Sequence, residues 1–147
     1  MKGKLTLTII KPGAVQHEYI GPILNMIQDA DFHIAAMRLT RLTRRQAELF
    51  YSVHKGRDFF EGLIEFMTSG PIVVAILEKE NAVEGYRKLI GSTDPNKAEE
   101  GTIRKLFAES MQKNAVHGSD SDENAMIECD FFFATSERFY KSEDCCS

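Results

Sequence analysis

The chain has 147 residues, 43% apolar and 27% charged, with a net charge of −4 and a pI near 5.6. That length suits one domain, residues 1–147, with a real core, and the composition is that of an ordinary soluble globular protein. The acidic balance argues against wholesale nucleic-acid binding, which needs a basic excess, and no apolar run approaches the roughly 20 residues that span a bilayer.

The start, MKGKLTLTIIKPG, has too short an apolar run for a secretory leader. It reads as a first strand from Lys4 to Ile10, and the protein is expected to be cytoplasmic. Lys11-Pro12-Gly13 stops that strand, because proline lacks a donor and glycine frees φ. Ile20, Ile23, Leu24 and Ile27 recur at helical spacing, with Pro22 tolerated in the first turn. A second strand runs from about Phe32 to Leu42. Thr43-Arg44-Arg45-Gln46 has the form of a capping box and opens a helix to about Val53. Asp58-Phe59-Phe60-Glu61 repeats that form, and Phe60, Leu63, Ile64 and Met67 make a buried face. After the break at Ser69-Gly70-Pro71, IVVAIL from Ile72 to Leu77 is continuously apolar, as in a strand covered on both faces.

Asn81 to Ile90 reads as a helix ending near Gly91, followed by a polar loop to Gly101. Thr102 to about Met111 reads as helix and Gln112 to Asp120 as loop. Ser121 caps a helix through about Cys129, and Asp130 to Ala134, DFFFA, reads as the last strand. The order predicts an α+β fold, a ferredoxin-like βαββαβ antiparallel sheet covered by helices, with helices added.

Chemistry concentrates in Asn114 to Ser121, NAVHGSDS. His17, His33, His54 and His117 form no HxxxH pair and no CxxC is present, so spacing does not predict a zinc site. Asp120 to Asn124 opens like a calcium loop but fails at Ala125 and Phe131. Asp122 and Glu123 suit a helix N-terminus instead. There is no GxSxG elbow, and Ser119 lies too near His117 in sequence for a triad, whose members usually converge from separate segments. The three cysteines, Cys129, Cys145 and Cys146, form no disulfide framework. They read as reduced thiols, the tail pair prone to oxidation.

An ordinary imidazole is largely neutral at pH 7 and keeps a lone pair. It can attack phosphorus if an acceptor fixes its tautomer through the other ring nitrogen, and Gly118 would allow close approach. The octapeptide alone leaves two readings open: a nucleophile, or a loop histidine among incidental polar neighbours. Phosphoryl transfer also needs cations on the phosphates. With no Walker loop and no GxGxxG, these must be dispersed. Lys11, Arg87, Arg104 and Thr93 are candidates, though each taken singly also reads as a surface charge or, for Thr93, a cap. Phe59 and Phe60 point about 100° apart on a helix. If Phe60 is buried, Phe59 is free to stack on a base.

Taken together the residues resemble the nucleoside diphosphate kinases, from about Leu5 to Phe139. Asn114-Ala115-Val116-His117-Gly118-Ser119-Asp120 satisfies that family's N-x-x-H-G-S-D signature. IIKPG at 9–13, FYSVHKGRDFF at 50–60, SGPIVVAIL at 69–77, STDP at 92–95 and GTIR at 101–104 agree in order and spacing. The resemblance implies ping-pong transfer of the γ-phosphate from a nucleoside triphosphate, typically ATP, to a nucleoside diphosphate through a phosphohistidine, maintaining triphosphate pools. His117 would attack through Nδ1. Glu128 would hold its other nitrogen, with Ser119 supporting that acid, and Tyr51 would reach the transferred phosphate. Phe59 would stack on the base, Lys11 and Asn114 would meet the ribose hydroxyl and nearby phosphates, and Arg87, Thr93 and Arg104 would clamp the phosphates. Magnesium would ride on the nucleotide rather than on protein side chains. Stacking without base-edge bonds would admit every base. The resemblance further implies a homo-oligomer, a tetramer or hexamer built from a shared dimer, with no specific nucleic acid and no membrane.

Two positions depart from the family pattern. Gly13 stands where an aspartate is common, with activity expected to survive, and Asn96 to Glu100 is acidic where relatives often carry proline. His54 and Asp58 receive no chemical role. The rival readings are a catalytically weak nucleotide-binding scaffold of the same fold and a nucleic-acid-binding ferredoxin-like module, which the net charge disfavours.

Overall fold

The computed structural model describes residues 1–141. Its elements in order are β1 (Leu5–Ile10), α1 (Pro12–Gln16), α2 (Ile20–Asp29), β2 (His33–Thr40), α3 (Arg44–Phe50), α4 (Phe60–Met67), β3 (Ile72–Glu78), α5 (Ala82–Ile90), α6 (Ile103–Phe107), β4 (Val116–Gly118) and α7 (Asp122–Phe132), with short 3₁₀ turns at Ser52–His54 and Thr135–Glu137. The four strands lie in the order β2-β3-β1-β4, and every neighbouring pair is antiparallel. This is the expected ferredoxin-like arrangement.

β1 and β3 are buried along their whole length, because side chains alternate between two covered faces. On one face Leu5, Leu7, Ile9, Val74 and Ile76 pack with Ala47 of α3, Ile64 and Met67 of α4, and Cys129 and Phe132 of α7. On the other, Ile10, Val73, Ala75 and Leu77 pack with Ile23 and Ile27 of α2 and with Tyr86 and Ile90 of α5. The crossover helices α2 and α5 therefore share one face with Ala14 of α1 and Ile103 of α6, and α3, α4 and α7 cover the second. Each fully buried Ile or Leu contributes roughly 1.5–3 kcal/mol.

Local chemistry behaves as expected at several ends. Thr43 Oγ1 accepts from the Gln46 amide at 3.1 Å, and Gln46 Oε1 accepts from the Thr43 amide at 2.9 Å. Ser121 Oγ accepts from the Asn124 amide at 3.1 Å. Pro22 falls in the first turn of α2.

Four expectations need correction. The last strand is not Asp130 to Ala134. Helix α7 continues through Phe132, burying Ala125, Cys129 and Phe132 at i, i+4 and i+7, so tertiary burial overrides the β-propensity of the Phe run. The sheet's fourth strand is instead β4, inside the stretch read as loop, and the open edge of β1 supplies its ladder. Asp58 does not cap α4, since Phe59 occupies the N-cap position without a side-chain bond. Helix α6 stops at Phe107, where Ala108 turns extended. Pro12 also starts a short helix that the strand-stop reading overlooked, as its fixed φ allows at the first helical position.

Gly13 lies in α1, and a Cβ there would sit 3.5 Å from the Phe66 ring, an ordinary contact. Space therefore does not demand glycine. Cys129 is buried, and burial pushes its thiol up to about 12, so it is an inert reduced thiol. Cys145 and Cys146, read as oxidation-prone, lie outside the described residues.

Candidate active site

β4 pairs Ile9 with His117 and Thr8 with Gly118. Cross-strand partners share a face, so His117 and, two residues on, Ser119 project with Ile9 toward α7. Glu128 of α7 meets them there. His117 Nε2 lies 2.8 Å from Glu128 Oε1, and Ser119 Oγ donates to that same oxygen at 2.7 Å. The Leu7 amide donates to Ser119 Oγ at 3.1 Å. A carboxylate can only accept, so in the neutral imidazole the proton sits on Nε2 and Nδ1 keeps its lone pair. With side chains 18% and 19% exposed, His117 and Glu128 are shielded yet reachable.

Two aromatics hold the imidazole plane. Phe50 meets it edge-on with centroids 5.4 Å apart, and Tyr51 does so at 6.5 Å. The Tyr51 hydroxyl is buried without a hydrogen-bond partner among the described residues. Burial, and then the charge of Glu128, raise its pKa above the ordinary phenol value, so it remains a donor. An unpaired buried hydroxyl costs about 1–3 kcal/mol, which suits a group that meets a ligand.

Just before β4, Ala115 is buried with φ +75°, and the Val116 amide bonds back to the Asn114 carbonyl at 2.9 Å. A non-glycine residue in this tight turn stores about 1–3 kcal/mol of strain. The turn brings Asn114 to Lys11, whose Nζ donates to Asn114 Oδ1 at 2.7 Å.

Beside Gly118 opens a cleft of about 330 Å³ lined by Arg87, Thr93 and Arg104, among others. Arg104 donates to the Gly91 and Val116 carbonyls, each at 3.0 Å. Burial is the main cause lowering its pKa to about 10, with the charge of Arg87 adding to it and Tyr86 opposing. Lys11 is lowered to about 7, first by burial and then by the charge of Arg104. Buried cations crowded in this way favour an anion.

A second hollow, about 380 Å³, is lined by Lys11, Phe59, Leu63, Thr93, Met111 and Gln112. Thr93 and the neighbouring cations Lys11 and Arg104 join it to the cationic cleft. Phe59 is 47% exposed while Phe60 is buried, as their angular separation predicted. The His54 ring lies 5.2 Å from Phe59 and 6.4 Å from Tyr51, so it bridges the two.

The fold thus gathers His117, Ser119, Glu128 and Tyr51 at one point, Arg87, Thr93 and Arg104 around the adjoining cleft, and Lys11, Asn114 and Phe59 beyond it. Phe50, Leu63, Met111 and Gln112 were missed. The sequence reads Met111 as the end of a helix, and only its apolar character in a polar stretch points elsewhere. Among the described residues no group of three His, Cys, Asp or Glu gathers to hold a metal.

Gly118 has a reason beyond ligand approach. A Cβ there would lie 3.0 Å from both Tyr86 Cδ2 and Ile90 Cδ1, so it is also needed where β4 packs on α5. Gly118→Ala is expected to destabilise the fold by about 1–3 kcal/mol, the usual cost of overpacking. Thermal melts would show it as a lower Tm, and an unchanged melt would sink the packing argument.

A family model described as nucleoside diphosphate kinase matches residues 4–138. A nucleoside diphosphate kinase of Lawsonia intracellularis is 58% identical over 133 residues, which is 90% of this chain and 96% of that protein. One of Chlorobaculum tepidum is 59% identical over 132 residues, 90% of this chain and 94% of that protein. Among solved structures, the Aquifex aeolicus nucleoside diphosphate kinase superposes with a TM-score of 0.90 at 41% identity, covering 92% of this chain and 98% of that one. The halophilic nucleoside diphosphate kinase of Halobacterium salinarum, solved in complex with CDP, has a TM-score of 0.91 at 29% identity and covers 98% and 96%.

Proposed function

Because this chain belongs to the nucleoside diphosphate kinase family, we propose that it transfers the γ-phosphate of a nucleoside triphosphate, typically ATP, to a nucleoside diphosphate through phosphorylated His117. In the first half-reaction the Nδ1 lone pair attacks the γ-phosphorus. The new N–P bond forms as the bond to the bridging oxygen breaks, and the nucleoside diphosphate leaves with that electron pair. A second nucleoside diphosphate then attacks the phosphohistidine and restores the free imidazole. The observation that carries this reading is the Nε2 bond to Glu128, which leaves Nδ1 free.

The remaining residues take their roles from charge and position. The imidazole gains positive character on attack, and Glu128 stabilises it while Ser119 keeps that carboxylate oriented. Tyr51 offers its unpaired hydroxyl to the transferred phosphate. Arg87, Thr93 and Arg104 clamp the phosphates, Lys11 and Asn114 bind the ribose hydroxyl and adjacent oxygens, and Phe59 stacks on the base. The relative solved with CDP supports occupancy by a nucleoside diphosphate. Magnesium fits on the phosphates rather than on the protein, since the cleft is lined by cations and hydroxyls that make poor ligands for it. Its chemistry there is neutralisation of the phosphate oxygens.

No helix among the described residues is long and apolar enough to cross a membrane. We place the enzyme in the cytoplasm, where nucleotide pools lie. The outer strand β2 supports a homo-oligomer, because it carries Met37 and Leu39 exposed at 52% and 62% on a sheet edge. Sedimentation is expected to give four or six subunits, and a monomer at working concentrations would overturn that assembly.

The reaction itself is tested by mixing the protein with γ-labelled ATP. An acid-labile, base-stable phosphoprotein that passes its label to a second nucleoside diphosphate is expected. Nucleotide binding without labelling or exchange would favour the scaffold reading instead.

A further inference from the structure

Stacking between apolar walls accounts for the grip on a base but leaves the base's polar edge unserved. The hollow that holds Phe59, Leu63 and Met111 has one carboxamide in its lining, that of Gln112. Lys11 and Thr93, its other polar members, belong with the cations at the phosphate end. Gln112 follows Met111 on the loop between α6 and β4, across the hollow from the first turns of α4. Its amide lies over Gly62 of that helix, where a Cβ would come within 2.8 Å of Nε2. Glycine at 62 leaves the carboxamide room to lie against the helix carrying Leu63 and next to Phe59. No hydrogen bond ties Gln112 down within the described residues, so its two donors and its acceptor are available.

We propose that Gln112 hydrogen-bonds the edge of the bound nucleobase, a contact that rests on the nucleotide-exchange reading above. A carboxamide turned one way donates to a keto oxygen or ring nitrogen, and turned the other way accepts from an exocyclic amine. It can therefore serve adenine, guanine, cytosine and uracil alike, adding affinity without strong selection. That reconciles a polar contact with a site that tolerates all bases. Gln112 acts on substrate binding and not on the transfer step.

The test uses Gln112→Leu and Gln112→Ala in the full chain, with ADP, GDP, CDP and UDP as acceptors. An indole riboside diphosphate, which stacks but offers no hydrogen-bonding edge, is the control acceptor. Both variants are expected to raise KM for the natural acceptors by about 3- to 10-fold, the worth of one neutral hydrogen bond, with kcat and thermal stability held. The indole acceptor should show no change. A loss confined to amino bases or to keto bases also supports the contact and fixes the amide's orientation. Unchanged KM for every natural acceptor, or an equal loss with the indole, overturns it, the latter by assigning Gln112 to the shape of the loop. Wild-type labelling at His117 is measured alongside. Without it the exchange reading fails, and with it a neutral Gln112 result defeats only this contact.

Discussion

Replacing His117 with alanine is expected to abolish both the acid-labile phosphoprotein and nucleotide exchange, lowering kcat by at least about 10⁴-fold. Loss of a covalent nucleophile removes the whole two-step path, and what remains is positioning and charge stabilisation with nothing to accept the phosphoryl group. Folding should be nearly untouched, because the ring is held by one carboxylate bond and two edge contacts rather than buried in the core. Nucleotide binding should survive, since the cationic cleft and the stacking hollow lie outside the ring. Labelled ATP, exchange kinetics and a binding isotherm on the same preparation check all three. Residual labelling at the wild-type rate would place the nucleophile elsewhere.

Lys11→Met is expected to produce the opposite pairing, a more stable protein that binds nucleotide poorly. Burial and Arg104 lower Lys11 from 10.5 to about 7. Below about pH 7 both folded and unfolded chains carry the lysine proton, and the folded state bears the full cost of the buried charge. Between about 7 and 10.5 the unfolded chain binds more protons, so stability rises with pH in that window. At pH 6 the methionine variant should gain of order 3–5 kcal/mol, from about 1.4 kcal/mol for each unit of that depression, and the gain should shrink by pH 9. Urea melts at several pH values test this, and a gain independent of pH would refute it. Nucleotide affinity should fall by roughly 10- to 100-fold, the scale of one charge-assisted contact. A bound phosphate restores the proton, so wild-type binding at pH 8 should take up as much as one proton. Calorimetry in buffers of different ionisation enthalpy would register it, and the variant should lack it.

These two results come from different levels of the molecule. The role proposed for His117 is largely legible in the sequence through the family resemblance, because the surrounding motif and the dispersed blocks agree in spacing. The depressed Lys11 was not, because it arises from burial and then from the charge of Arg104, on a segment far away in the chain. Strand β4 was invisible for a related reason. Three residues with a glycine carry no strand signal of their own, and the β1 edge supplies the ladder. The Phe run of α7 misled in the other direction, since its β-propensity is local and the helix it joins is stabilised by packing with α3 and the sheet. Met111 and Gln112 lay in a polar loop, with nothing nearby in sequence to show that Phe59 faces them.

By itself the sequence determined the strands β1 and β3, the caps at Thr43 and Ser121, the separation of Phe59 from Phe60, and the motif around His117 on which the family resemblance rests. Each follows from side-chain type and spacing within about a dozen residues, or from a motif whose order is preserved. Only the tertiary structure decided which ring nitrogen is free, which cations lose their water, and why Gly118 has no side chain. Those properties depend on contacts such as the Leu7 amide on Ser119, 112 residues apart. Hydrogen-bond direction, desolvation and close packing belong to the space between segments.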